Sequence, residues 1–210
     1  MFEIPAAMAD LFPEKGLRRA STVALQPLSG GCSLALALAA SATSRGEWAA
    51  AVGIGSLGLL AAAEMGVDLG RLALVPDPGE RWPEVVAALL DGFGMVVLRP
   101  SAPPGGEEAR RLVARARERG AVLVLLDAAG WPETPDLRLT VRAQIWEGLG
   151  AGHGRLSCRR VEVACGGRRA AGRERVAALW LPSPDGPSAA AAAIPAGEAG
   201  AGLGGAAAAV

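Results

Sequence analysis

The chain has 210 residues, a length typical of one domain whose core needs neither disulfides nor metals. Its 21 basic and 21 acidic residues balance and 51% of its residues are hydrophobic, which excludes a disordered polymer and a globally basic nucleic-acid coat protein. Three cysteines without CxxC spacing predict a reducing compartment and no metal site.

The N-terminus and the two uncharged stretches predict a protein without membrane contact. Glu3 and Asp10 stand where a signal peptide needs basic residues, and no apolar region follows them. The stretches 20–44 and 48–63 are interrupted by polar residues or glycines. Neither reaches the roughly 20 predominantly apolar residues of a membrane span. We therefore expect a cytoplasmic protein.

Apolar runs of strand length alternate with segments of helix length up to residue 126. The predicted strands are 22–26, 48–54, 72–75, 95–98 and 121–126, and the predicted helices are 34–44, 57–65, 82–91 and 107–119. Strands that alternate with helices form βαβ units with right-handed crossovers and a parallel sheet. The sequence thus predicts an α/β fold with about five mostly parallel strands and helices on both faces.

After Gly130 the pattern changes to alternating strands at 137–141, 155–163 and 175–181, separated by glycine-rich turns. These strands predict an antiparallel β extension of the sheet. From Pro182 onward the chain is mostly Ala, Gly, Pro and Ser, a composition typical of a disordered tail. The predicted organisation is a lead-in over 1–20, an α/β core over 21–136, the extension of the same domain over 137–181, and the tail over 182–210.

The first predicted strand, loop and helix have the order of a phosphate-binding loop. That motif, G-x-x-x-x-G-K-[ST], holds phosphates with glycine amides and a lysine, and magnesium with a hydroxyl. Gly31 and Ser33 occupy the second glycine and hydroxyl positions, with Gly30 beside them. Cys32 stands where the motif requires lysine, and Gln26 stands at the first glycine. The motif is therefore degenerate.

Several short motifs follow one another between residues 64 and 100. They are MGVD at 65–68, a leucine at 72, PDPGE at 76–80 and the apolar strand at 95–98. In this order and spacing they resemble the RecA recombinase core from its second helix through its Walker B strand. LFPEKGLRRASTVAL near the N-terminus resembles the family's lead-in. The resemblance covers about residues 10–145 and implies a truncated RecA-like core.

The same resemblance identifies charged groups that this chain lacks. In the family an Asp follows the Walker B strand and a catalytic Glu follows the second strand. Here Arg99 stands at the first position, and residues 52–56 contain no acid. Phosphoryl transfer depends on such placed charges, so we expect no catalytic residue, no bound nucleotide or other cofactor, and no metal. Two alternatives are a degenerate NTPase that still binds nucleotide, and a fold in which Gly30 and Gly31 form an ordinary turn.

Segments in the C-terminal half resemble one particular group of RecA-like proteins. The segments QIWEGLGAGHGRL at 144–156, RRV at 159–161 and LWLP at 179–182 resemble the end of actinobacterial ImuA-type proteins. These are RecA-like accessory factors of the inducible mutagenesis cassette. The resemblance implies a non-catalytic, nucleoid-associated adaptor in SOS-induced translesion synthesis that binds an ImuB-type Y-family pseudo-polymerase and RecA. A SulA-like cell-division inhibitor is the neighbouring alternative.

The predicted extension carries the excess positive charge, with nine arginines against three glutamates over 138–175. We place the partner surface within 137–181, away from the phosphate-loop position, because arginine and tryptophan are enriched at interfaces. With no tyrosine and three phenylalanines, the chain offers no base-stacking platform, so any DNA contact would be a weak phosphate contact. Alternatively, these side chains only protect or cover the sheet edge. The candidates for partner binding are Trp146, His153, Arg155, Arg159, Arg160 and Trp180.

Overall fold

Nine strands form a single sheet across the described part of the chain. The computed structural model describes residues 1–26, 30–127, 129–149, 154–170 and 172–195. The strands are β1 (Ser21–Leu25), β2 (Ala49–Val52), β3 (Leu72–Val75), β4 (Met95–Leu98), β5 (Val122–Leu126), β6 (Leu137–Leu149), β7 (Gly154–Gly166), β8 (Arg175–Trp180) and β9 (Ala189–Ala190). The helices are α1 (Gly31–Thr43), α2 (Leu59–Glu64), α3 (Trp82–Gly92) and α4 (Gly106–Arg119), with short 3₁₀ helices at Ala6–Leu11, Leu69–Arg71 and Arg168–Ala170.

The sheet has the strand order β3-β2-β4-β5-β1-β6-β7-β8-β9. Neighbouring strands are parallel from β3 to β6 and antiparallel from β6 to β9. This topology confirms the predicted mostly parallel sheet with an antiparallel C-terminal extension. β6 pairs in parallel with β1 as well as antiparallel with β7, so the parallel part has one strand more than predicted.

Helices cover both faces of the parallel strands, as predicted. The apolar residues of α1 and the buried Ala62 of α2 pack on one face, while α3 and α4 pack on the other. β5 shows why its apolar run is continuous: Val124 belongs to the first cluster and Leu123 and Leu125 to the second, so both faces are buried. α4 turns its arginines outward and ends at Gly120, whose left-handed φ of 69° is typical of a helix C-cap.

The N-terminal lead-in packs beneath the antiparallel extension. Met8, Leu11 and Phe12 are fully buried and join the core cluster that contains α1 and Leu179 of β8. An isolated bridge between Phe2 and Leu17 closes this segment on itself. The lead-in therefore covers one face of the antiparallel strands, as α1 and α2 cover one face of the parallel strands.

The predicted disorder of the tail is wrong for residues 182–195. β9 lies within this segment and pairs with β8 through Leu179 and Trp180, and Ile194 is 7% exposed. The composition of 182–210 as a whole does not reveal the one isoleucine that is buried or the open edge of β8 that β9 pairs with. Residues 196–210 lie outside the described residues. None of the described helices is long and apolar enough to cross a membrane.

Candidate functional site

The degenerate phosphate loop lies at the N-terminus of α1, next to the carboxyl ends of the central strands. Gly30 is the N-cap residue, with a φ of 125° that favours glycine. Gly31, Cys32 and Ser33 form the first turn of the helix, so the four predicted loop residues stand together. Residues 27–29 of the loop lie outside the described residues.

Arg99 reaches this helix terminus from the end of β4. Its Nε lies 3.0 Å from Asp127 Oδ2, at the end of β5, and its Nη2 donates to Cys32 Sγ at 3.7 Å. The carboxyl ends of parallel strands meet at one edge of the sheet, which brings these side chains together. A guanidinium thus stands where the resemblance implied an acid that supports magnesium. The residues present do not fit a magnesium-bound nucleoside triphosphate.

Gly53, directly after β2, leaves no room for a side chain. Its φ is 73°, and a Cβ built on it would lie 2.1 Å from the carbonyl oxygen of Arg99. That separation is far inside van der Waals contact, so any other residue requires the backbone to move. Its N–H donates to Val75 O at 2.9 Å, which fixes the turn further. Within residues 52–56, where the resemblance places a catalytic acid, position 53 is therefore sterically closed to a side chain.

Arg159 of β7 approaches the same helix terminus from the extension. Its Nη1 and Nη2 lie 3.1 and 3.3 Å from the Cβ position of Gly30. Its Nε donates to Leu181 O at 3.0 Å, its Nη1 donates to Gln144 Oε1 at 3.3 Å, and its guanidinium lies 5.0 Å from the ring centroid of Trp146. Only 3% of the residue is exposed. Burial lowers the pKa of Arg159 to about 10.

The predicted partner-binding residues lie on two opposite faces of the extension. The strand register pairs Trp146 with Arg159, and Arg160 with Trp180. Because successive strand residues point to opposite faces, Arg159 lies on the same face as Val161, which packs against the α1 cluster. We call this the inner face. Arg160 and Trp180 lie on the outer face, where the guanidinium stacks 5.8 Å from the ring centroid.

The sequence predicts Arg159 as part of a partner surface separate from the phosphate-loop position, but the residue is buried and lies against Gly30 of that position. Trp146, another predicted candidate, is half-buried and stacks on Arg159 on the inner face. His153 and the side chain of Arg155 lie outside the described residues.

Sequence reasoning missed the role of Gln144 as an acceptor for Arg159 and the steric closure at Gly53. A signal for Arg159 was nevertheless present. In an alternating strand, two consecutive arginines cannot both face solvent when the opposite face is a core. The flanking apolar residue Val161 indicates that Arg159, and not Arg160, is the inward one.

The fold resembles that of a known recombinase. A crystal structure of the RadB recombinase matches it with a TM-score of 0.56 at 15% sequence identity, covering 81% of this chain and 91% of that chain. This similarity shows that the fold is RecA-like, as the sequence motifs predicted.

The sequence itself resembles a mycobacterial protein. "Uncharacterized protein Rv3395c" of Mycobacterium tuberculosis is 45% identical over 133 residues, which span 59% of this chain and 60% of that protein. The match thus covers less than two thirds of the relative. Residues 10–133 match the family model described as MT3502 N-terminal domain, a stretch that includes the α1 N-terminus, Gly53 and Arg99. The chain belongs to the MT3502 N-terminal domain family.

Proposed function

We propose that this protein is a non-catalytic RecA-like adaptor of the ImuA type that acts in DNA damage tolerance. The observation that carries the proposal is the replacement of both acidic positions: the Arg99 side chain pairs with Asp127 at the position of a magnesium-supporting acid, and residues 52–56 contain no acid. Within that segment Gly53 has no room for a side chain against the carbonyl oxygen of Arg99. A RecA-like fold in which both acidic positions are lost retains its shape as a binding scaffold.

The proposed partners are an ImuB-type Y-family pseudo-polymerase and RecA, in the cytoplasm at the nucleoid. The outer face of the extension supports this proposal because it combines features that interfaces favour. It carries Trp180 and Arg160 in stacking contact, the half-exposed Val176 and the exposed Arg138. DNA contact in this proposal is limited to weak, salt-sensitive contacts between arginines and phosphates.

Two measurements test the proposal. A pulldown with the full-length protein from DNA-damaged cells, followed by mass spectrometry, is expected to recover the pseudo-polymerase. Recovery of a cytoskeletal GTPase instead would favour the SulA-like alternative.

The second measurement is phosphate release from magnesium ATP in the presence of single-stranded DNA. We expect turnover at the level of the buffer blank. DNA-stimulated turnover that Ser33→Ala abolishes would contradict the non-catalytic role, because Ser33 occupies the hydroxyl position of the loop.

A further inference from the structure

The connection between β5 and β6 leaves part of the sheet without a helix over it. It comprises residues 127–136, and its described residues, 127 and 129–136, contain no helix. The connection passes β1, which pairs in parallel with both β5 and β6. A crossover between parallel strands typically takes roughly a dozen or more residues and contains a helix that covers the strands. Here irregular chain takes the place of that helix.

A cavity of about 260 Å³ lies at this place, at the carboxyl ends of β1 and β5. The sheet lines it with Ala24, Leu125 and Arg138, and the connection lines it with Trp131 and Pro135. Ala24 and Arg138 alternate along their strands with residues of the α1 cluster, so they point to the opposite face of the sheet. Leu125 and Trp131 pack in the cluster of α3 and α4. The cavity therefore lies on the face opposite α1.

Two side chains of opposite charge line the cavity, the half-buried Glu133 and the exposed Arg138. The ion pairs among the described residues include neither of them. Gln26 adds an amide to the lining, and the Thr140 hydroxyl donates to its Oε1 at 3.2 Å. A ligand that carries both a positive and a negative group would therefore complement the site.

The size and the lining of the cavity limit what can enter it. Sites for whole small molecules typically measure about 300–1,000 Å³, and this cavity is smaller. It suits one side chain of a larger ligand better than a nucleotide. Trp131, Leu125 and Pro135 make most of its lining apolar, which favours an apolar or aromatic side chain. Glu133 and Arg138 then remain for groups that flank this side chain.

We propose that the cavity is a docking site for a peptide segment of a partner protein. An apolar anchor side chain enters the cavity, a basic neighbour pairs with Glu133, and an acidic neighbour pairs with Arg138. Two ion pairs of opposite sense fix the direction of the bound segment, because a reversed segment would place like charges together. Arg138 also belongs to the outer face of the extension, so the site adjoins that face. The site does not depend on the identity of the pseudo-polymerase, since any partner that carries such a segment would bind.

The test begins with random dodecapeptides displayed on phage and selected on the full-length protein. We expect the selected sequences to share an apolar residue within a few positions of one basic and one acidic residue. The peptide with the highest affinity is then synthesised and titrated into the protein by calorimetry.

Two variants alter the cavity at residues outside the buried core. Ala129→Phe fills it, because Ala129 lines the cavity and is exposed, and Glu133→Lys reverses one charge. Each is expected to weaken binding of the selected peptide at least tenfold. A peptide in which Glu replaces the basic residue should recover binding to Glu133→Lys, which loss of structure would not produce. Glu80→Lys changes an exposed carboxylate outside the cavity and should bind like the unmodified protein.

Unchanged affinity in either folded variant would overturn the proposal, and so would a selection that yields no shared sequence. A single-stranded oligonucleotide that displaces the peptide, and that binds Ala129→Phe less tightly than the unmodified protein, would assign the cavity to nucleic acid and overturn the peptide site. If Ala129→Phe does not fold, the charge exchange between Glu133→Lys and the Glu-substituted peptide decides.

Discussion

Asp136 accepts hydrogen bonds from the backbone N–H and the hydroxyl of Thr22, at 3.0 and 3.2 Å, across 114 residues of sequence. Its own N–H donates to the Thr22 hydroxyl at 3.0 Å. Arg169 Nε donates to the other carboxylate oxygen at 3.1 Å, and Arg168 also pairs with it. One fully buried carboxylate thus ties β1, the start of β6 and the turn after β7 together.

This arrangement predicts that Asp136→Asn destabilises the protein in a pH-dependent way. Burial alone would raise the pKa of Asp136, but hydrogen bonds from Arg168, the Thr22 N–H and Arg169 lower it from 3.8 to about 2. A depressed pKa means that the carboxylate stabilises the fold above pH 3.8 and that this stabilisation is lost as the pH falls to about 2. We expect Asp136→Asn to lower the free energy of unfolding by about 2 kcal/mol at pH 7.

Urea unfolding at pH 7 and at about pH 2.5, followed by circular dichroism, measures the difference between the two chains. The difference in free energy of unfolding between the unmodified protein and Asp136→Asn should narrow at the lower pH, because Asp136 of the unmodified protein begins to lose its charge there. Asp10→Asn, an exposed carboxylate, serves as the control and should be neutral at both pH values. If Asp136→Asn lowers the free energy of unfolding equally at both pH values, ionisation of the carboxylate is not the source of its stabilising effect.

The lack of side-chain space at Gly53 predicts that an alanine there destabilises the protein more than an alanine at Gly55 does. Gly53→Ala forces a Cβ onto the carbonyl oxygen of Arg99 and a side chain onto a φ of 73°. We expect it to lower the free energy of unfolding by at least about 2 kcal/mol, which corresponds to several degrees in Tm. Gly55→Ala is the matched control, because a Cβ there meets nothing within 4 Å. Equal melting temperatures of the two variants would contradict the geometry.

We expect substitutions on the two faces of the extension to have different effects, on partner binding for the outer face and on stability for the inner face. Trp180→Ala combined with Arg138→Glu alters the outer face, and it should weaken binding of the pseudo-polymerase at least tenfold, about 1.4 kcal/mol, with an unchanged circular dichroism spectrum. Trp146→Ala alters the inner face beneath Arg159 and should instead lower the melting temperature. Arg110→Glu on α4 is a charge-matched control, and it should bind normally.

Calorimetric titration of each purified variant with the partner measures the affinities to be compared. The proposed surface is wrong if the outer-face variant binds normally while Arg110→Glu weakens binding, since that result moves the interface to α4.

The sequence was sufficient for the fold where one physical signal dominates. Continuous apolar runs such as β5 are buried on both faces, and the RecA-like motifs ordered the elements correctly. The parallel pairing of β6 with β1 was missed because its outer residues are polar, which gives the alternation typical of an antiparallel strand. The site was only partly predictable: the phosphate-loop residues are local in sequence, whereas Arg159 reaches them from 129 residues further along.

The anchored tail leads to a prediction about truncation. A chain that ends at residue 195 keeps β9 and Ile194, and we expect it to melt within a few degrees of the full chain. A chain that ends at residue 182 exposes the edge of β8 and uncovers the core beneath Ile194. Its melting temperature should fall distinctly further. Ile194→Ala in the full chain separates the two contributions, because it removes buried side-chain volume while leaving the strand pairing in place.

Removal of a well-buried isoleucine side chain typically costs about 2–5 kcal/mol, and a site near the surface should lie at the low end of that range. If Ile194→Ala accounts for most of the loss seen at residue 182, the side chain anchors the segment, and the two-residue strand β9 follows from it. If the variant is neutral while truncation at 182 is costly, backbone pairing to β8 is the anchor. Equal melting of the chains that end at 182 and 195 would mean that the segment contributes nothing to stability, as its composition alone had suggested.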